Sequence, residues 1–120
     1  MSSRPTRAPN ALLPLPPAFV HILLALADGE RHGYAIMQEI RRLTDGDVEM
    51  GPGTLYGAVK RLLEFGLIDE SDERPDPELD DERRRYYRMT AYGARVLRAE
   101  TGRLSRLVRV ARAKGAAGAR

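Results

Sequence analysis

Apolar positions along the chain fall into blocks, each with its own period. In "AFVHILLALAD", residues 18–28, apolar side chains occur nearly all round a helical projection, which predicts a central, well-packed helix. It begins near Pro17, where the missing N–H costs nothing, and Gly29 supplies a stop. A second helix is expected from about Gly33 to Leu43, with Ile36, Met37, Ile40 and Leu43 on one face. "TDGDVEM" follows as a connector, with Val48 a candidate for a short strand. A third helix is predicted from Pro52 or Gly53 to Gly66. Leu55, Ala58, Val59, Leu62 and Leu63 share one side of it; Thr54, Gly57, Lys60, Arg61 and Glu64 share the other.

Beyond Gly66 the pattern changes. "LIDES" and "RRRYYRM" read as strands joined by a loop containing Pro75 and Pro77, and Thr90 is placed to cap a last helix from Ala91 to about Lys114. The expected fold is mainly α with a small β-hairpin: three helices followed by two strands outline a winged helix-turn-helix, with a C-terminal dimerisation helix added. The expected organisation is a flexible tail over 1–16, a DNA-binding unit over 17–90, the dimerisation helix over 91–114 and a second tail over 115–120.

One feature of the third helix bears on function. Gly57 lies within the helix, where glycine costs roughly 1 kcal/mol relative to alanine. In this fold the third helix enters the DNA major groove. A glycine at the middle of the polar face, flanked by Thr54, Lys60 and Arg61, suits close approach of a duplex. The alternative is that Gly57 makes room for a neighbouring side chain of the protein itself.

Composition narrows the classes. The 120 residues suit one domain, and 42% hydrophobic residues suffice for a modest core. The absence of cysteine excludes disulfides and thiolate metal sites. The longest apolar run is far short of the ~20 residues of a membrane span, and prolines 14, 16 and 17 interrupt any signal-like core. The expected location is the cytoplasm, with no membrane partner. A net charge of +3 says little, but its distribution is lopsided. Between Asp69 and Glu82 nine carboxylates face Arg74 alone, whereas from Arg83 onward the only acid is Glu100.

"LLALADGERHGYAIMQEI", "GPGTLYGAVKRLLEFGLI" and "RRRYYRMTAYGARVL", in this order and spacing, resemble the PadR family of bacterial transcriptional regulators, over roughly Ile22 to Leu97. The short tail resembles the branch with a single C-terminal helix. The resemblance implies a homodimeric repressor that binds double-stranded operator DNA and is often relieved by a small-molecule effector. Carried over by position, His32, Gly33 and Tyr34 match the start of the family's second helix. Gly53, Thr54, Leu55 and Tyr56 match the start of its recognition helix. Tyr86, Tyr87, Thr90 and Gly93 match the wing exit and the turn into the last helix. The wing tip departs from the pattern: "DERPDPELDDE" would repel phosphate, so insertion of the tip into a groove is not expected.

The expected DNA-binding residues are therefore Tyr34, Thr54, Tyr56, Gly57, Lys60, Arg61, Arg83, Arg84 and Arg85. Tyr34 and Tyr56 can donate hydroxyl hydrogen bonds to phosphate, or pack as half-buried rings within the helix-turn-helix. Thr54 sits where free helix N–H groups favour an anion, or it caps the helix. Lys60 and Arg61 are phosphate ligands or solvated charges. The arginines at 83–85 reach the backbone or neutralise the acidic loop. In the last helix Leu97, Thr101, Leu104, Val108 and Ala111, with Leu107 beside them, form an apolar stripe. The same helix of a second chain is its expected partner; folding back on its own domain is the alternative.

An enzyme is not expected, nor a cofactor or metal ion. No second histidine or carboxylate stands at metal-site spacing from His21, and no nucleophile is paired with a base. A sandwich of a planar drug between the last helices is disfavoured, since no aromatic follows Tyr92 and there is no tryptophan. An effector bound elsewhere stays open, as does a winged-helix module that binds a protein in place of DNA.

Overall fold

The structure, a computed structural model, describes residues 7–71 and 85–115. Among these residues four α-helices and a three-stranded sheet run in the order α1 (Pro17–Ala25), β1 (Arg31–His32), α2 (Gly33–Leu43), α3 (Pro52–Glu64), β2 (Ile68–Ser71), β3 (Tyr86–Met89) and α4 (Ala91–Ala113). The helix-period stripes become the core: Ile22 and Leu23 of α1, Ile36 and Ile40 of α2, and Leu55 and Leu62 of α3 are all fully buried. Leu67, just before β2, and Ile68, its first residue, close it from the side of the sheet, and Val96 from α4.

Local chemistry sets the helix ends. His32 caps α2, its Nδ1 accepting the Ala35 N–H at 3.1 Å. Thr90 caps α4, accepting from the Gly93 N–H at 2.9 Å and donating to the Gly66 carbonyl at 2.7 Å. At the end of α3 the N–H of Leu67 bonds the Leu62 carbonyl and that of Gly66 the Leu63 carbonyl. Gly66 adopts φ +78°, a left-handed conformation that glycine takes without a Cβ penalty. A close approach follows: a Cβ on Gly93 would overlap the Leu67 carbonyl oxygen, so α4 starts directly against the turn that joins α3 to β2.

The structure corrects several sequence expectations. The sheet has three strands in the order β1-β3-β2, not two. The two-residue β1 pairs antiparallel with β3, Arg31 opposite Tyr87 and His32 opposite Tyr86. Val48 is not in a strand: its N–H is taken by the Thr44 hydroxyl at 3.1 Å, and its side chain packs on the core. Leu43, placed on the core face of α2 by period, is 45% exposed, because the helix ends there and no described residue covers it. The N-terminal segment, expected as a tail to residue 16, instead forms a 3-10 turn over Pro9–Leu12 that lies on α4. Leu15 is buried and Leu12 and Leu13 pack against the core. This strap is pinned by Glu100, 1% exposed, which accepts a backbone hydrogen bond from Leu15 and two from Arg103 at 2.8 Å.

Candidate nucleic-acid interface

Three elements present the candidate surface: the start of α2, all of α3, and the sheet. On α3 the division into faces holds. Leu55, Ala58, Val59 and Leu62 are buried, while Thr54, Gly57, Lys60, Arg61 and Glu64 are exposed. A Cβ built on Gly57 meets nothing within 4 Å, so among the described residues no neighbouring side chain explains this glycine. Gly51 occupies the N-cap of α3 and no side chain caps it. Thr54, in the first turn, therefore does not serve as the cap. The backbone N–H groups of Gly53 and Thr54 sit at the positive end of the helix dipole with no intrahelical acceptor. Gly53 stands outside the expected DNA-binding set, and the glycine at position 51, in place of Ser, Thr, Asp or Asn, is what leaves this helix end without a side-chain cap.

The two tyrosines part company. Tyr34, at the second position of α2, is 53% exposed beside the candidate face. Tyr56 is half-buried and turns back onto α2: a Cβ on Gly33 would overlap its hydroxyl, and its Cζ would stand at 2.7 Å. The ring thus fastens α3 to the start of α2, the packing alternative raised from sequence.

The cations also divide. Lys60 is exposed on the face carrying Gly57 and Thr54. Arg61 bends away, its guanidinium 5.4 Å from the centroid of the Phe19 ring, which itself makes an edge contact with Phe65. Arg85, at the base of β3, lies 3.4 Å from Glu70 on β2, so its charge is partly answered within the hairpin. Arg83, Arg84 and the acidic wing tip lie outside the described residues. Behind the surface, Arg31 ties α1 to α2: its Nε donates to the Ala25 carbonyl at 2.8 Å, and its guanidinium pairs with Asp28 and Glu39. Glu39 accepts two hydrogen bonds from Arg42, which hold its carboxyl below the usual range, with the charge of Arg31 adding to the effect. His32 is spent on the cap and on an edge contact with Tyr86. Among the described residues no group of acidic or histidine side chains could hold a metal ion, and no helix is long and apolar enough to cross a membrane.

The expected dimer stripe is split by depth. Leu97 is 8% exposed and belongs to its own core, because the domain still covers α4 at that point. Thr101 is exposed and its hydroxyl donates to the Arg98 carbonyl. Leu104, Leu107 and Val108 are between 38% and 52% exposed. Val110, which was not in the predicted stripe, is 52% exposed. Ala111 is partly buried.

Comparison with known proteins identifies the family and the fold. Residues 22–99 match the family described as the transcriptional regulator PadR-like family. An uncharacterised 37.1 kDa protein in transposon TN4556 of Streptomyces fradiae is 36% identical over 86 residues, covering 72% of the chain but 22% of that protein. The transcriptional regulator Rv3488 of Mycobacterium tuberculosis is 37% identical over 90 residues, covering 75% of the chain and 78% of its own length. Among solved structures, a transcriptional regulator from Clostridium thermocellum superposes with a TM-score of 0.66 at 29% identity, over 78% of this chain and 84% of that one.

Proposed function

The chain belongs to the PadR-like family of transcriptional regulators, which are not enzymes, and from that premise we propose that it is a homodimeric repressor that binds double-stranded operator DNA through α3. The observation that carries this reading is the open face of α3. Gly57 has empty space where its side chain would be, between Thr54 and Lys60, and the N-terminal N–H groups of the helix are uncapped. A duplex fits such a face: backbone phosphate takes the helix N-terminus and Thr54, and a base edge comes up to the bare backbone at Gly57. Tyr34 and Lys60 add phosphate contacts. Tyr56 supports the site by holding α3 on α2.

The exposed leucines and valines of α4 are covered by the α4 of a second copy, which presents two recognition helices to one duplex. A two-fold protein reads a two-fold site, so the operator is an inverted repeat with half-sites spaced by whole turns of DNA, about 34–36 Å or multiples. Repression follows from occupancy of promoter DNA, and a small effector relieves it.

Footprinting on genomic fragments, beginning with the DNA upstream of its own gene, tests the proposal. A protected inverted repeat is expected. Equal, weak retention of all fragments in a gel shift would favour the rival reading, a winged-helix module that binds a protein partner. The acidic run from Asp69 to Glu82 is the observation on that side.

A further inference from the structure

Beneath the strap, on the side of the domain where α3 ends, lies a cleft of about 180 Å³. One wall is the strap itself, with Leu12, Leu15 and Pro16. The floor is aromatic and aliphatic: Phe19 of α1, Phe65 at the end of α3, and Leu67. Phe65 leaves 37% of its surface open, so part of this apolar lining is uncovered. The remaining lining residue is Arg61, held over the Phe19 ring at 5.4 Å. Among the described residues no carboxylate pairs with it.

Size and charge together restrict the occupant. Pockets for drug-sized ligands hold roughly 300–1,000 Å³, while a cavity of ~150 Å³ takes a single benzene ring. This cleft therefore suits one short apolar body. A guanidinium at its edge, paired with no carboxylate among the described residues, selects an anionic head, since charge-assisted hydrogen bonds to carboxylate are the strong ones. We propose that the cleft binds a small apolar carboxylate, its tail against Phe19 and Phe65 and its head on Arg61.

The position of the cleft connects such a ligand to both working parts of the molecule. It touches the C-terminal end of α3, whose other end carries the DNA face. Its strap wall is fastened to α4 through Glu100, on the helix that carries the dimer seam. An occupant that fits one placement of the strap and α3 better than another changes operator affinity by that difference. This coupling rests on the DNA-binding reading; occupation of the cleft does not.

Hexanoate is the probe, titrated into the full chain and followed by two-dimensional NMR of leucine methyls and backbone amides at constant ionic strength. Saturable shifts of Leu12, Leu15 and Leu67 are expected, with hexanol and hexylamine binding at least several-fold more weakly. Arg61→Met should weaken hexanoate roughly ten-fold or more and leave hexanol unchanged, and Arg61→Lys should restore part of the loss. Arg61 is exposed, so the variants should fold, and their melting curves check that. Millimolar binding is within reach of a fragment this small. Equal affinity for acid, alcohol and amine overturns the site, and so do shifts confined to α4 or no saturable shift at roughly 10 mM. In a second arm, hexanoate is added to the protein on its footprinted fragment. A several-fold change in operator affinity is expected, and no change overturns the coupling. A protein that takes up hexanoate but binds no genomic fragment overturns the DNA reading and upholds the site.

Discussion

Gly57 and Gly33 both lie on the helix-turn-helix, and their surroundings give them opposite meanings. Among the described residues no side chain comes within 4 Å of a Cβ built on Gly57, whereas a Cβ on Gly33 would overlap the Tyr56 hydroxyl. Gly57→Ala should therefore stabilise the fold by up to ~1 kcal/mol, the helix-propensity difference alone. Gly57→Leu should also fold, since its side chain enters open space, but operator affinity should fall roughly ten-fold or more. Thermal unfolding and a gel shift on the same variant separate the two effects. Were Gly57→Leu to bind normally, α3 would not sit in the groove. Gly33→Ala should behave in the other way and cost about 1–3 kcal/mol, as overpacking does. Tyr56→Phe in the same chain should recover part of that loss, because it removes the atom in closest contact.

Among the elements, α4 has two environments. Its first half is capped by Thr90 and buries Val96, Leu97 and Glu100 against the domain; beyond Arg103 its side chains are exposed, except for partly buried Ala111. A row of exposed leucines and valines on one helix is the kind of surface that marks an interface. Leu104→Asp should yield a monomer by light scattering at micromolar concentration with its melting curve little changed, since Leu104 is not part of the core. A dimeric variant would place the interface elsewhere. The strap depends on the buried half of the helix. Glu100→Gln exchanges the charged, doubly bonded contact to Arg103 for a weaker one and should cost about 1–3 kcal/mol. Hydrogen exchange should then rise first at Leu15.

Taken as one folding unit, the molecule should be acid-sensitive. The carboxyls of Glu39 and Glu100 lie below the ordinary value of 4.5, chiefly because Arg42 and Arg103 hydrogen-bond their ionised forms. On unfolding both return to ordinary behaviour and take up protons more readily. Their contribution to stability is complete above the ordinary carboxylate range and is lost as pH falls through the depressed folded values. The Tm should be nearly level near neutrality and decline below the usual value, and Glu39→Gln or Glu100→Gln should flatten that decline. How much of this architecture could be read along the chain follows from the range of the forces involved. The faces of α3, the Thr90 cap and the Gly66 stop depend on residues three to five positions apart, so helical period and capping chemistry reveal them directly. Strand β1 is two residues long and carries no period; it exists because β3 offers it hydrogen bonds across a long separation in sequence. The strap looked like a tail because prolines dominate it, yet its leucines find cover on α4 and the core. Leu97 and Leu104 share one stripe, and the point at which the domain surface ends puts the first in the core and leaves the second open. Arg61 belongs by angle to the face of Gly57, but its long side chain reaches Phe19 on another helix. Such partners come together only when distant segments pack, because the free energy of burial depends on which surfaces meet and not on their order in the chain.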